Sequence, residues 1–163
     1  MRPFLTIFLL LAINSNSWAQ NVSNVTLETN VFTIEFPGIP KFECDTLNHS
    51  SLIVKHSYTL EGENDQSYSI VYRDRMEDDN KHDTFQSEMD WLSYWTLPEI
   101  SQKKKGKLNG YPTLSFIAKT STETIHFRYI LTKSHFIRIG ANSENESLAP
   151  TTKHFFDSFT LKE

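Results

Sequence analysis

Hydrophobic and polar positions alternate with a period of two along most of the chain, which is typical of strands with one buried face. The predicted strands cover residues 31–36, 52–60, 68–72, 100–108, 111–119, 123–131 and 136–141. Asn109-Gly110 separates two of them and is the strongest short signal for a hairpin. The lysine-rich strand before this turn suits a sheet edge, since exposed lysines oppose pairing with another chain.

Two other segments carry apolar residues at the 3–4 spacing of an amphipathic helix. The first helix is predicted from Thr84 to about Leu97, with Asp83 as its N-cap and Pro98 after its end. Pro150 opens a second, short helix that is rich in phenylalanine. Because consecutive strands joined by short turns pair antiparallel, we expect an α+β fold. Its antiparallel sheet of six or seven strands would be packed between helices, as an α/β/α sandwich.

Length and composition indicate one globular domain. The chain has 163 residues, of which 38% are hydrophobic, and its 12 phenylalanines predict a core built largely from aromatic rings. We expect this domain to cover residues 31–163 and a flexible N-terminal arm to cover residues 20–30. The formal net charge of −4 argues against a nucleic-acid partner, because proteins that bind nucleic acids usually have a clustered basic surface.

The N-terminal residues have the three regions of a signal peptide. Arg2 supplies positive charge, Phe4 to Ile13 is apolar, and the small residues Ser17 and Ala19 mark a cleavage site. We expect residues 1–19 to be removed and the protein to be exported, either to a periplasm or as a secreted protein. An uncleaved N-terminal anchor is the alternative. Later segments are too polar to predict a transmembrane span in the mature chain.

Motifs that carry chemistry are missing from the sequence. The acidic stretch from Asp74 to Asp83 lacks the ligand spacing of a calcium site, and the six histidines lack the spacing of a transition-metal site. Neither a nucleophile elbow nor a phosphate-binding loop is present. Cys44 is the only cysteine, so it cannot form an internal disulfide, and we expect it to be buried as a small hydrophobe rather than to be a free thiol. The sequence therefore predicts no catalytic residue, no cofactor and no metal.

Two groups of residues remain as candidates for function. Trp91, Tyr94 and Trp95 give the first helix an aromatic stripe that is wider than one buried face requires. We expect part of the stripe to be accessible and to form an interaction surface; simple core packing is the alternative. His126 and Arg128 share the polar side of one strand, where they face either a cleft or only solvent.

Three motifs carry a family resemblance. They are FTIEFPGIP at 32–40, LNGYP at 108–112 and FFDSFTL at 155–161. Through them the chain resembles small exported bacterial proteins of the PsbP-like superfamily over residues 31–161. The resemblance implies an antiparallel sheet between helices and a binding or accessory role, and it implies no ligand or catalytic residue.

Together these features favour an exported, non-catalytic binding or accessory protein, whose partner is another exported or membrane-associated protein. The alternative is a small hydrolase or isomerase with a pocket between sheet and helix, in which His126 and nearby carboxylates act as acid and base. A cone-shaped α+β fold with an enclosed ligand cavity is the structural alternative. The missing nucleophile and metal motifs favour the binding protein.

Overall fold

The computed structural model describes residues 23–48, 52–62, 66–76, 83–96, 98–144 and 146–162. These residues form ten strands and two helices. The strands are β1 (Val25–Glu28), β2 (Phe32–Phe36), β3 (Lys41–Asn48), β4 (Leu52–Glu61), β5 (Ser67–Asp74), β6 (Glu99–Leu108), β7 (Tyr111–Lys119), β8 (Thr124–Leu131), β9 (His135–Ser143) and β10 (Thr160–Leu161). The helices are α1 (Thr84–Thr96), between β5 and β6, and α2 (Pro150–Asp157), between β9 and β10.

Seven strands form one antiparallel sheet in the order β3-β4-β5-β9-β8-β7-β6. The lysine-rich strand β6 lies at one edge of this sheet, as its composition predicts. Its pairing with β7 is irregular between Ser101 and Lys104, where Gln102 has a positive φ of 51°. Lysines and bulges each oppose pairing with another chain, so two independent features protect this edge against intermolecular strand pairing.

The turn between β6 and β7 has the predicted geometry. Asn109 has a φ of 51° and Gly110 a φ of 86°, the pair of positive values that a two-residue type I′ hairpin requires. The turn places Leu108 opposite Tyr111, and pairing continues from there along both strands. Asn and Gly adopt these angles with little strain, so two residues determine the register of the edge hairpin.

One face of the large sheet packs against a small antiparallel sheet and α2. The small sheet has the order β1-β2-β10. Phe32 and Phe36 of β2 are fully buried, and their ring centroids lie 5.5 Å from Phe159 and 5.0 Å from Phe155. The large sheet completes this core with residues of β5 and β9, namely Tyr68, Ile70, Tyr72, Ile137, Ile139 and Ala141. The closing segment is therefore part of the core, as its phenylalanines predict.

The opposite face of the large sheet packs against α1. Met89 and Leu92 of the helix are buried against sheet residues Leu114, Phe116, Ala118, Phe127, Tyr129 and Phe136. Arg73 of β5 is buried at the same place: its side chain forms an ion pair of 3.0 Å with Glu88 of α1. The guanidinium also lies 5.0 Å from the centre of the Phe136 ring. Apolar contact and one ion pair together hold α1 on the sheet.

The expected α/β/α sandwich is wrong, although the antiparallel sheet itself agrees with the expectation. The protein is mostly β, the helices of the described residues are two short ones, and a second sheet takes part of the space expected for a helical layer. Strands β1, β3 and β10 were not predicted, since β1 and β10 are very short and β3 is polar. They form because β2 and β4 offer backbone groups that need partners.

Two further expectations about the chain need correction. Residues 20–30 were expected to be a flexible arm, but Val25–Glu28 is the strand β1 and pairs with β2. Cys44 is exposed rather than buried, because it lies on the edge strand β3, which has a neighbouring strand on one side only. The predicted signal peptide, residues 1–19, lies outside the described residues. Among the helices that are described, none is both long and apolar enough to cross a membrane.

Candidate functional site

Local sequence determines where α1 begins and which side faces the sheet. The Asp83 Oδ1 atom accepts a hydrogen bond of 3.2 Å from the backbone N–H of Gln86, as an N-cap carboxylate does. The Gln86 side chain in turn donates a hydrogen bond of 2.6 Å to Asp90. With this start, Met89 and Leu92 face the sheet core with Phe85 packed beside them, whereas Asp90, Trp91 and Tyr94 are exposed.

The α1 aromatic surface, formed by Trp91 and Tyr94, lies on the solvent side of the helix. The exposed fraction is 55% for Trp91 and 77% for Tyr94. Because the two residues are three positions apart, their side chains are neighbours on the helix surface. The expectation that part of the aromatic stripe is accessible is confirmed for these two residues. The side chain of Trp95 lies outside the described part of the structure.

Charge beside the α1 aromatic surface is acidic. Asp90 is exposed and lies one residue before Trp91 and four residues before Tyr94. Asp83 is also exposed but lies at the N-cap, about 12 Å from Trp91 along the helix axis, and the sequence of α1 contains no lysine, arginine or histidine. Aromatic rings next to carboxylates complement a surface that presents apolar groups together with a cation.

His126 and Arg128 lie on the opposite face of the large sheet, in a shallow depression of about 260 Å³ beside α2. We call this site the Arg128 depression. The side chains that define it are Lys104, Ser115, Ile117, His126, Arg128 and Phe156. His126 and Arg128 thus share one side of the strand, as predicted, and that side faces a concave surface.

The register of three strands assembles the Arg128 depression. Lys104 on β6 lies opposite Ser115 on β7, and Ser115 lies opposite Arg128 on β8. Directly opposite residues of antiparallel strands point to the same face, so these three side chains form one row. His126 is two residues from Arg128 and shares that face, opposite Ile117.

The guanidinium of Arg128 is half-buried. Its Nη1 atom donates a hydrogen bond of 2.8 Å to the Phe156 carbonyl oxygen, and its Cζ atom lies 5.3 Å from the centre of the Phe156 ring. Burial lowers the pKa of Arg128, and the opposing charge that acts on it is Asp157. Asp157, however, is exposed and forms its ion pair with Lys153. Within the described ranges no carboxylate is in ion-pair contact with Arg128.

His126 is buried, and its Nε2 atom lies 3.1 Å from the hydroxyl oxygen of Ser143. A histidine beside a serine hydroxyl is the arrangement of a base and a nucleophile, so this pair represents the enzyme alternative in the structure. Ser143 is not among the described residues that line the depression. The lining carboxylate, Glu146, accepts a hydrogen bond of 3.0 Å from Gln102. The Ser143 hydroxyl and the Glu146 carboxylate therefore each have a partner within the protein.

The acidic stretch between β5 and α1 is described only at its two ends, because positions 77–82 lie outside the described residues. Asp74 Oδ1 lies 3.6 Å from His135 Nε2, and Asp83 caps α1. In the part of the chain that the structure covers, no three His, Cys, Asp or Glu side chains are grouped to hold a metal ion.

Comparison with known proteins gives no family assignment. No protein-family model matches the chain, and no curated protein matches it either. We therefore infer function from the α1 aromatic surface and the Arg128 depression.

Lys104 and Ser115 are site residues that the sequence alone does not indicate. Lys104 belongs to a lysine run in an edge strand, where protection of the edge explains it, and Ser115 is one polar position of an alternating strand. Only the pairing of β6, β7 and β8 places them beside Arg128. The sequence indicated this site only through His126 and Arg128, which are two residues apart and therefore make one side of β8 polar.

Proposed function

We propose that the protein is an exported, non-catalytic accessory protein that binds another exported or membrane-associated protein through the α1 aromatic surface. One observation carries the proposal: two neighbouring aromatic side chains are 55% and 77% exposed on a helix whose other side is already packed. Trp and Tyr are among the residues most enriched where a few side chains supply most of a binding energy.

Other side chains of α1 already hold the helix on the sheet. Met89 and Leu92 are only 5% and 8% exposed and contact the sheet core, and the ion pair of Glu88 with Arg73 adds to this attachment. The exposed rings of the α1 aromatic surface offer a partner a large contact area with few rotatable bonds. A binding role accounts for their position.

Charge defines the kind of partner that fits. The exposed carboxylate of Asp90 is one helical turn from Tyr94 and one residue before Trp91. The complementary partner presents an apolar patch flanked by Lys or Arg, which pairs with Asp90 and stacks on Trp91. Because exposed charges are screened by salt, this binding should weaken as the salt concentration rises.

The enzyme alternative has less support. The His126 and Ser143 pair is the one feature in its favour, but the described lining of the depression contains His126 without Ser143. A hydrolase needs its nucleophile, its base and its bound substrate within reach of one another. The surface with two exposed aromatic rings therefore supports binding better than the depression supports catalysis.

Export and a relationship to the PsbP-like superfamily belong to the same proposal. Export is supported by the signal-peptide pattern of residues 1–19. The superfamily relationship rests on the three sequence motifs, which contain β2, the β6–β7 turn, and the end of α2 with β10. Intact mass of the exported protein tests the first point: we expect a chain that begins at Gln20, and a chain retaining residues 1–19 contradicts cleavage.

Partner capture tests the α1 aromatic surface. The mature chain is cross-linked in the exported fraction as wild type, as the double variant Trp91→Ala/Tyr94→Ala, and as Phe42→Ala. Phe42 is a matched control because its ring is 51% exposed but lies on the edge strand β3. We expect one partner to be recovered with wild type and with Phe42→Ala. The amount recovered with the double variant should be at least about tenfold smaller.

A stability measurement and two possible outcomes complete the test. Urea unfolding midpoints of the three proteins should differ by less than about 0.5 M, because each replaced side chain is more than half exposed. Equal recovery of the partner by wild type and by the double variant would show that α1 is not the binding surface. Loss of the partner with Phe42→Ala alone would move the interface to β3.

A further inference from the structure

We propose that the Arg128 depression binds a small organic carboxylate, with Arg128 and Lys104 holding the carboxylate group and Phe156 forming an apolar wall. The site lies on the face of the large sheet opposite α1, since Arg128 alternates with the residues of β8 that contact the helix. It is therefore independent of the α1 aromatic surface and would add ligand binding to protein binding.

The first support is the hydrogen-bonding capacity of Arg128. A guanidinium has five N–H donors, and the protein acceptor of Arg128 is the Phe156 carbonyl oxygen at 2.8 Å. The ion pairs formed by the described residues leave Arg128 without a carboxylate. A half-buried cation is costly unless acceptors replace the water it has lost. A carboxylate fits this need because its two oxygens match the planar fork of the guanidinium.

The second support is the position of the other polar side chains. Lys104 and Arg128 are two strands apart, with Ser115 directly between them, which separates their backbones by roughly 10 Å. A carboxylate above Ser115 thus lies between two cations and beside a hydroxyl that donates a hydrogen bond. Three neighbouring strands supply these groups, so the arrangement is held by the sheet rather than by a loop.

The third support is the charge of the lining. Lys104 and Arg128 are positive and Glu146 is negative, so the depression carries one excess positive charge in a chain whose formal net charge is −4. One excess positive charge complements a monoanion better than a dianion. This favours a carboxylate over a phosphate monoester.

The fourth support is the apolar part of the lining. Ile117, Leu148 and Phe156 line the depression, and Leu148, which is 38% exposed, is the most accessible of the three. The volume of about 260 Å³ is close to the lower end of the range for small-molecule sites. A ring or short hydrocarbon that carries one carboxylate fits both the volume and the walls.

The proposal is tested by titrating the mature protein with sodium benzoate and monitoring its backbone amide chemical shifts by NMR. Benzamide has the same ring without the charge, phenyl phosphate carries the dianion, and sodium chloride controls for ionic strength. We expect benzoate to shift the amides of β7 and β8 around Ser115 and Arg128 in a saturable way. Benzamide should bind about tenfold more weakly or not at all, because it cannot form the charged hydrogen bonds.

Variants assign the shifts to the site. We expect Arg128→Gln to weaken benzoate binding by about tenfold or more and Lys104→Gln by a smaller factor. Lys107→Gln should have no effect, because Lys107 lies opposite Pro112 and on the other side of β6 from Lys104. If Arg128→Gln does not fold, Lys104→Gln still tests the site, since its side chain is exposed.

Several outcomes would overturn the proposal. Benzoate shifts that do not saturate, or that persist unchanged in both Arg128→Gln and Lys104→Gln, show that the carboxylate does not bind here. Equal affinities for benzamide and benzoate would show that the charge of the carboxylate does not contribute to binding. Tighter binding of phenyl phosphate than of benzoate assigns the depression to dianions and not to carboxylates.

Discussion

Replacing Phe155 by alanine removes a ring that other rings contact on several sides. Phe155 is fully buried, and its centroid lies 5.0 Å from Phe36, 5.2 Å from Tyr68 and 5.6 Å from Phe156. These contacts join α2 to the small sheet and to β5. Because the ring connects three elements, the cavity left by alanine cannot be filled by the movement of one neighbour.

The expected cost follows from these contacts. Burying and then deleting a phenylalanine costs about 3–5 kcal/mol of unfolding free energy, and aromatic pairs contribute about 0.5–1.5 kcal/mol each beyond their buried area. We therefore expect a loss near the upper end, about 4–5 kcal/mol. With a urea m-value of about 2 kcal/mol per M, the unfolding midpoint should fall by about 2 M.

Urea unfolding of the mature chain, followed by far-UV circular dichroism, measures this loss. Phe155→Leu keeps much of the volume and should lose about 1–2 kcal/mol. Lys153→Ala is the control on the exposed side of α2, where loss of its ion pair with Asp157 should cost at most about 0.5 kcal/mol. A fall of less than about 0.5 M for Phe155→Ala, with unchanged m, would refute the role of this ring in the core.

Three further predictions address the closing segment, the hairpin turn and pH. Phe156 and Phe159 are 4% and 5% exposed, so at least one of their alanine variants should also lower the urea midpoint by more than about 1 M; tolerance of both would make the segment peripheral. Gly110→Val should cost about 1–2 kcal/mol through backbone strain alone, because φ is 86° and an added Cβ meets no heavy atom within 4 Å. Gly110→Asn should cost less, and equal costs in urea unfolding would contradict strain as the cause. Burial raises the pKa of Tyr129 to about 12, so the unfolded state loses its phenol proton first and stability should fall between about pH 10 and pH 12. Comparison of urea midpoints at pH 9 and pH 11 should show a smaller fall for Tyr129→Phe than for wild type, and an identical fall would contradict this coupling.

Local sequence determined the parts of the fold whose signals are complete within a few residues. Asp83 predicted the start of α1, Asn109-Gly110 predicted a turn with positive φ, and the lysines of β6 predicted an edge strand. Each of these features depends on backbone angles, caps or charge in one short segment. Partial exposure of the aromatic stripe was also predicted from its width, and the structure shows it for Trp91 and Tyr94.

Tertiary structure decided what depends on pairing between distant segments. The polar strand β3 and the short strands β1 and β10 exist because partner strands complete their hydrogen bonds, and their formation replaced the expected helical layer by a second sheet. The edge position of β3 likewise left Cys44 exposed. The row of Lys104, Ser115 and Arg128 has the same origin, since a slip of one residue would send these side chains to opposite faces. No local pattern contains that information, because register is a relation between strands and not a property of any one of them.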